Sequence, residues 1–240
     1  VRLLDESESL DWLAPGSSRD AWQNLYLSRP DHSVFLSPGF AAAWVPCYST
    51  QFGFRLLIAT FSGSDAPVCV MPLATSTALV TSVGAHQAEY HSWLVDAEYD
   101  YDFVRTGLKI LSPAFPSAKI RFFYLPNARF VRVFEQRLGF GGWSHVQKHR
   151  RPLLDLDEDS LKITLRKKAN RSRQNRINRL GEVVLRNVES EGEFRQFVEP
   201  MFAAYDLRQG AKHGASPFLD DAGKLEFHRR WFVNAPDALV

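Results

Sequence analysis

Apolar side chains recur along the first 150 residues with periods that change from stretch to stretch, and the changes mark the elements. Ser37-Pro38 offers a hydroxyl N-cap and a proline at the first helical position, and Phe40, Trp44 and Cys47 follow at helical spacing. Residues 54–61 and 68–73 are strand-like runs separated by Ser62-Gly63-Ser64-Asp65, which reads as a hairpin turn. Residues 78–83 add a short strand. Phe103, Val104, Gly107, Leu108 and Leu111 line one face of a helix over 99–111, and 119–125 is an apolar strand after it. A helix over about 127–138 and a strand over 143–147 complete this part. Strands alternating with helices predict an α/β layered domain over 1–150.

Beyond Arg150 the texture changes, which divides the chain into 1–150 and 151–240. Residues 152–157 are a short extended stretch leading into an acidic first turn. One long helix is predicted next, with Leu161, Leu165, Ala169, Ile177 and Leu180 on one side, basic residues around the rest, and Gly181 as its C-cap. Residues 183–188 read as a strand. A helix over 193–209 presents Phe194, Phe197, Val198, Met201, Phe202 and Tyr205, and Pro200 is expected to interrupt it. Ser216-Pro217 opens a last helical region carrying Leu225, His228, Trp231 and Phe232.

The net charge of +2 would not by itself suggest a polyanionic partner, but its placement does. Residues 1–150 hold 13 Lys and Arg against 13 Asp and Glu, whereas 162–179 hold eight basic residues and no acidic one. Within that run Arg166, Lys167, Lys168, Arg171, Arg173, Arg176 and Arg179 repel one another. Such a helix is either a solvated face or the seat of an anion: nucleic acid, CoA phosphates, an anionic glycan or lipid, or an acidic protein surface.

The 45% of hydrophobic residues is enough for a substantial core, yet the longest apolar stretches are strand-length, so no transmembrane span is expected. The N-terminal residues quickly become acidic and do not form a secretion signal, and Cys47 and Cys69, set among apolar neighbours, read as buried free thiols. A cytoplasmic, reducing location is the expectation. His86 and His91 flank Glu89-Tyr90, while His145 and His149 are spaced too widely along a predicted strand to share one metal, so no metal site is expected. No G-x-S-x-G, H-E-x-x-H, Walker A or paired C-x-x-C occurs, which removes the usual support for hydrolase, zincin and NTPase readings. Gln136-Arg137-Leu138-Gly139-Phe140-Gly141 fits a pyrophosphate-cradling Q/R-x-x-G-x-G/A pattern. It follows a predicted helix instead of preceding one, so Gly139 reads as a C-cap.

Leu154-Asp155-Leu156, Ser160-Leu161, Leu165-Arg166-Lys167-Lys168, Arg171, Arg176, Arg179-Leu180-Gly181 and the apolar run after it form an order that resembles the GNAT-related acetyltransferases of the CelD type, linked to cellulose or exopolysaccharide biosynthesis. Downstream, Tyr205-Asp206-Leu207-Arg208, Lys212-His213-Gly214, Ser216-Pro217-Phe218 and Phe227-His228 continue it; upstream, Phe35-Leu36-Ser37-Pro38-Gly39-Phe40, Met71-Pro72-Leu73 and Ala88-Glu89-Tyr90 do so. The resemblance spans roughly residues 30–235 and its motifs are diffuse. It implies a GNAT-like N-terminal domain followed by the start of a second, with acetyl-CoA or another acyl-CoA as co-substrate and a small-molecule or glycan-precursor acceptor. The donor site is expected beyond Val240, so that residues 1–240 alone are expected to be inactive. Acceptor-side candidates are Tyr205, Arg208, His213, Phe218 and His228; anion-binding candidates are Arg166, Lys167, Arg171, Arg173 and Arg176. No catalytic residue is named by the sequence. Alternatives are a non-catalytic protein that binds nucleic acid or aminoacyl-tRNA, and a scaffold in exopolysaccharide assembly.

Overall fold

The computed structural model of the protein describes residues 1–29, 33–64, 66–96, 98–125, 145–147, 157–184 and 186–234. They form two compact units, one of Val1–Val146 with Glu191–Val240 and one of Gln147–Ser190. Residues 191–234, which follow the basic run in sequence, thus belong with the N-terminal part. The predicted helix over 127–138, the Gln136 to Gly141 pattern and His149 lie outside the described residues.

The larger unit is built on a five-stranded sheet in the order β1 (Arg2–Leu3), β2 (Gly53–Thr60), β3 (Pro67–Thr75), β4 (Leu79–Ser82) and β5 (Lys119–Ile120). Neighbours are antiparallel except β4 and β5, which run parallel. Parallel neighbours need a long crossover, and α4 (Asp100–Ala114) lies in that connection. Before β2 come α1 (Glu6–Asp11), α2 (Ser17–Leu27) and α3 (Pro38–Tyr48). The predicted start of α3 is realised, since the Ser37 hydroxyl accepts a hydrogen bond from the Phe40 N–H at 3.1 Å. The predicted hairpin is present too, with Gly63 at φ +79° in its turn.

Side chains alternate between the faces of a strand, and here both faces are covered. Leu56, Ile58, Val70 and Ala74 join Phe40, Trp44 and Tyr48 of α3 and Trp22 of α2 in one core. Leu57, Cys69, Met71 and Leu73 join Phe103, Val104 and Leu111 of α4 in another. The fold is therefore α/β and layered, and burial on both faces explains why 68–73 reads as one apolar run. Both cysteines are free thiols. No helix among the described residues is long and apolar enough to cross a membrane.

The apolar stretch 119–125 is strand only at Lys119–Ile120, because the chain then leaves the sheet to bond elsewhere. The C-terminal segment of this unit holds α7 (Glu191–His213) and α8 (Ala222–Asn234). Pro200 removes one N–H from α7 but does not end it. The last helix begins at Ala222, not at Ser216-Pro217, since residues 216–220 are held as a turn by a carboxylate of α7.

In the smaller unit the single long helix expected over the basic run is two, α5 (Glu158–Arg166) and α6 (Lys168–Asn178). Lys167 between them is extended, with ψ 134°, and the Asn170 side chain donates to the Thr164 carbonyl at 2.7 Å, competing with the helical ladder. The C-cap of α6 is Arg179, ahead of Gly181. Residues 183, 184 and 186–188 form no strand; Val183 and Val184 are exposed, and no other described strand pairs with them. His145 likewise lies outside any strand.

Helix α4 approaches the sheet closely because Gly107 faces Leu57: a Cβ at 107 would stand 2.5 Å from Leu57 Cδ2. Gly107→Ala gains about 1 kcal/mol of helix propensity but overpacks a closed core at about 1–3 kcal/mol. A net loss of stability by urea unfolding is the expected outcome.

Candidate functional site

Four of the five acceptor-side candidates meet between α7 and α8. The organising group is Asp206, a buried carboxylate in α7 whose oxygens accept from the backbone N–H groups of Phe218 and Leu219 at 3.0 and 2.9 Å. Buried carboxylates need such donors. The pair of bonds fixes the 216–220 turn and lays Phe218 on Phe202, ring centroids 3.6 Å apart and nearly parallel. Tyr205 meets Phe218 edge-on at 5.9 Å, and His228 of α8 lies 5.8 Å from Phe218 and 5.1 Å from Phe202. Two cations border the rings: Arg208 stands 5.1 Å from the Tyr205 centroid and Lys224 4.7 Å from that of Phe218. His213, exposed at the end of α7, makes none of these ring contacts. Phe202, Asp206 and Lys224 are members that the chain alone does not single out as site residues; a signal for Asp206 is its place about ten positions before a Ser-Pro turn.

Burial first, and the Lys224 charge second, push the His228 imidazole down to about 4. It is neutral at pH 7 and a weak base there, so the cluster offers flat rings and two cations but no group poised for proton abstraction. Beside it, Phe194, Val198, Ala222 and Leu225 with Arg195, Glu199, Glu226 and Arg229 line a groove of about 250 Å³. Arg229 joins the helices by pairing with Glu191 at 2.6 Å and with Glu226, whose carboxyl it holds down to about 2.

A second polar region lies past the C-terminal ends of β4 and β5, where ligands of open α/β sheets bind. Ala85 and Tyr124 both have positive φ, +36° and +47°. Such strain of about 1–3 kcal/mol per residue persists where the surroundings enforce it. The enforcing group is buried His91. Its Nδ1 accepts from the Phe123 N–H at 3.1 Å, which leaves the proton on Nε2 to donate to the Ala85 carbonyl at 3.3 Å. The His91 N–H donates in turn to the Phe123 carbonyl at 3.0 Å, so the crevice is bridged by the chain itself. Burial pushes this imidazole down to about 4 as well. His86 and Glu89 are exposed, and no cluster of metal-binding side chains occurs among the described residues.

The anion-binding candidates lie in the smaller unit. Lys168, Arg171, Arg176 and Arg179 line an open groove of about 570 Å³ along α6, together with Ser172, Gln174 and Asn175. Arg173 lies on the same helix outside that lining, Arg166 ends α5, and Lys167 is the extended residue between the helices. No protein-family model, curated protein or solved structure matches the chain.

Buried His91 and partly buried His228 titrate near 4 when folded, against an ordinary 6.5. Between those values the unfolded chain binds more protons, so stability is full above about pH 6.5 and falls toward pH 4. His91, fully buried, contributes a slope of about 1 kcal/mol per pH unit in that window. Urea unfolding at stepped pH is expected to show the decline, and His91→Asn to make it shallower, with the His228 share remaining.

Proposed function

We propose that this chain supplies the acceptor side of an acyl transfer, in which an acyl-CoA acylates an amine or hydroxyl of a small molecule or glycan precursor. The observation that carries the reading is the meeting of Tyr205, Arg208, Phe218 and His228 in one bordered aromatic cluster. The exposed Tyr205 ring, held edge-on by Phe218, suits the C–H face of a sugar. Lys224 and Arg208 suit a phosphate or carboxylate on the same molecule.

The resemblance to GNAT-related enzymes implies one half for the donor and one for the acceptor, and we assign this chain to the acceptor. The His91 bridge across the β4 and β5 ends favours the same assignment of this chain to the acceptor. In the transfer the thioester C–S bond breaks as a C–N or C–O bond forms. The proton shed by the nucleophile balances the one taken up by the departing thiolate. Such chemistry rests on positioning the thioester beside the nucleophile, so few diagnostic side chains are needed. His228 serves as a wall of the site, because a base of pKa about 4 takes up little of the nucleophile's proton. Free thiols and an acyl-CoA co-substrate both fit a cytoplasmic setting.

Binding of a phosphorylated amino sugar such as glucosamine 6-phosphate, followed by ligand-observed NMR, tests the acceptor assignment without the donor. Phe218→Ala is expected to weaken binding about tenfold, the worth of one lost aromatic contact. Arg208→Gln, an exposed change that leaves the core alone, is expected to weaken it by a smaller factor. Unchanged binding in both variants, or none in the parent chain, overturns the assignment.

A further inference from the structure

We propose that the groove along α6 is a binding site for the phosphodiester backbone of a polynucleotide, a function separate from acyl transfer and resting on different residues. Lys168, Arg171, Arg176 and Arg179 fall on one side of α6 over a rise of about 17 Å. Gln174, Asn175 and Ser172 fill the spaces between them with neutral donors and acceptors. Arginine forks and amide side chains are the groups that hold phosphates and reach base edges.

The helix is poorly suited to stand alone. Neither α5 nor α6 has a buried residue, so packing within the unit does not hold α6 in place. Its cations repel at three-residue spacing, and residues 160–181 contain no acid to offset them. The N-cap, Lys167, makes no side-chain bond to the first turn, and Lys168 adds positive charge where the helix dipole is already positive. None of Lys168, Arg171, Arg173, Arg176 and Arg179 forms an ion pair with another described residue. An anion along this face relieves the repulsion among these cations and the excess positive charge at the helix start.

A membrane surface is the weaker partner. Helices that lie in a bilayer interface bury a face of Trp, Phe or Leu, whereas α6 carries no aromatic residue and one large apolar one, Ile177. A polynucleotide asks only for regularly spaced cations and hydrogen-bonding side chains.

The test is fluorescence anisotropy of the whole chain with a mixed-sequence DNA duplex and with an RNA hairpin, over a salt series. Four groove cations give log K against log salt a slope of about −3.6 on duplex DNA. Arg171→Gln with Arg176→Gln is expected to reduce the slope by about 2 and weaken binding at least tenfold. Arg105→Gln on the exposed side of α4 serves as the control and changes neither. Thermal unfolding of the double variant should occur no lower than in the parent, since both sites lie outside any core and two repelling charges are removed. A preference for the hairpin or the duplex says which polynucleotide the groove prefers. Lack of binding to both at 50 mM salt overturns the proposal. So does binding indifferent to the double variant, or capture only by vesicles of phosphatidylserine and phosphatidylcholine.

Discussion

The packing of α8 onto α3 is the constraint from which the rest of the larger unit follows. Phe227 is fully buried against Phe40 and Tyr48, and Trp231 stacks on Phe227 while meeting Phe40 edge-on. A polar seam runs beside these rings. The Tyr48 hydroxyl donates to Asp221 at 2.9 Å, the Gln87 amide donates to both, and Trp44 Nε1 donates to Gln87 at 2.9 Å. Burial and the Asp221 carboxylate both raise the Tyr48 pKa, so its proton stays in place. Each member is satisfied by the next, and a buried network of this kind is stable only when complete.

Through that seam, residues far apart in sequence become one surface. Asp221 begins the approach to α8, and its bond to Tyr48 spans 173 positions. Once α8 is anchored, α7 packs on it through Phe194 on Phe232 and the Arg229 bridge to Glu191. Asp206 then needs only to hold the intervening turn for Phe218 to meet both Phe202 and His228. The aromatic cluster inherits its geometry from the sheet-bound core, which is what rigid placement of a binding group requires.

Local rules made much of this visible in the chain. The Ser37-Pro38 start, the hairpin over residues 54–73 and the amphipathic face of α4 each depend on neighbours a few positions away. Long-range satisfaction was not visible. The 216–220 turn takes its cap from α7, the chain after β5 leaves the sheet so that Phe123 meets His91, and 183–188 has the apolar pattern of a strand without a described partner strand. The candidate site divides the same way. Tyr205, Arg208, Phe218 and His228 can be picked out one at a time, but only Asp206 and the α8 anchor explain why they meet, and His213 shows that proximity in sequence is not enough.

Charge is handled in opposite ways by the two units. In the larger one, arginines find carboxylates: Arg29 with Asp96, Arg195 and Arg229 with Glu191, Arg230 with Glu226. These pairs tie elements together although exposed pairs of this sort contribute only about 1 kcal/mol or less each. In the smaller unit Lys162 pairs with Glu158 at the start of α5, and the cations of α6 then continue without such partners among the described residues. A sequence under pressure only to form a helix would place acids four residues from those arginines. Their absence over 160–181 leaves one face of α6 uniformly positive at a cost in helix stability, and such a field attracts anions.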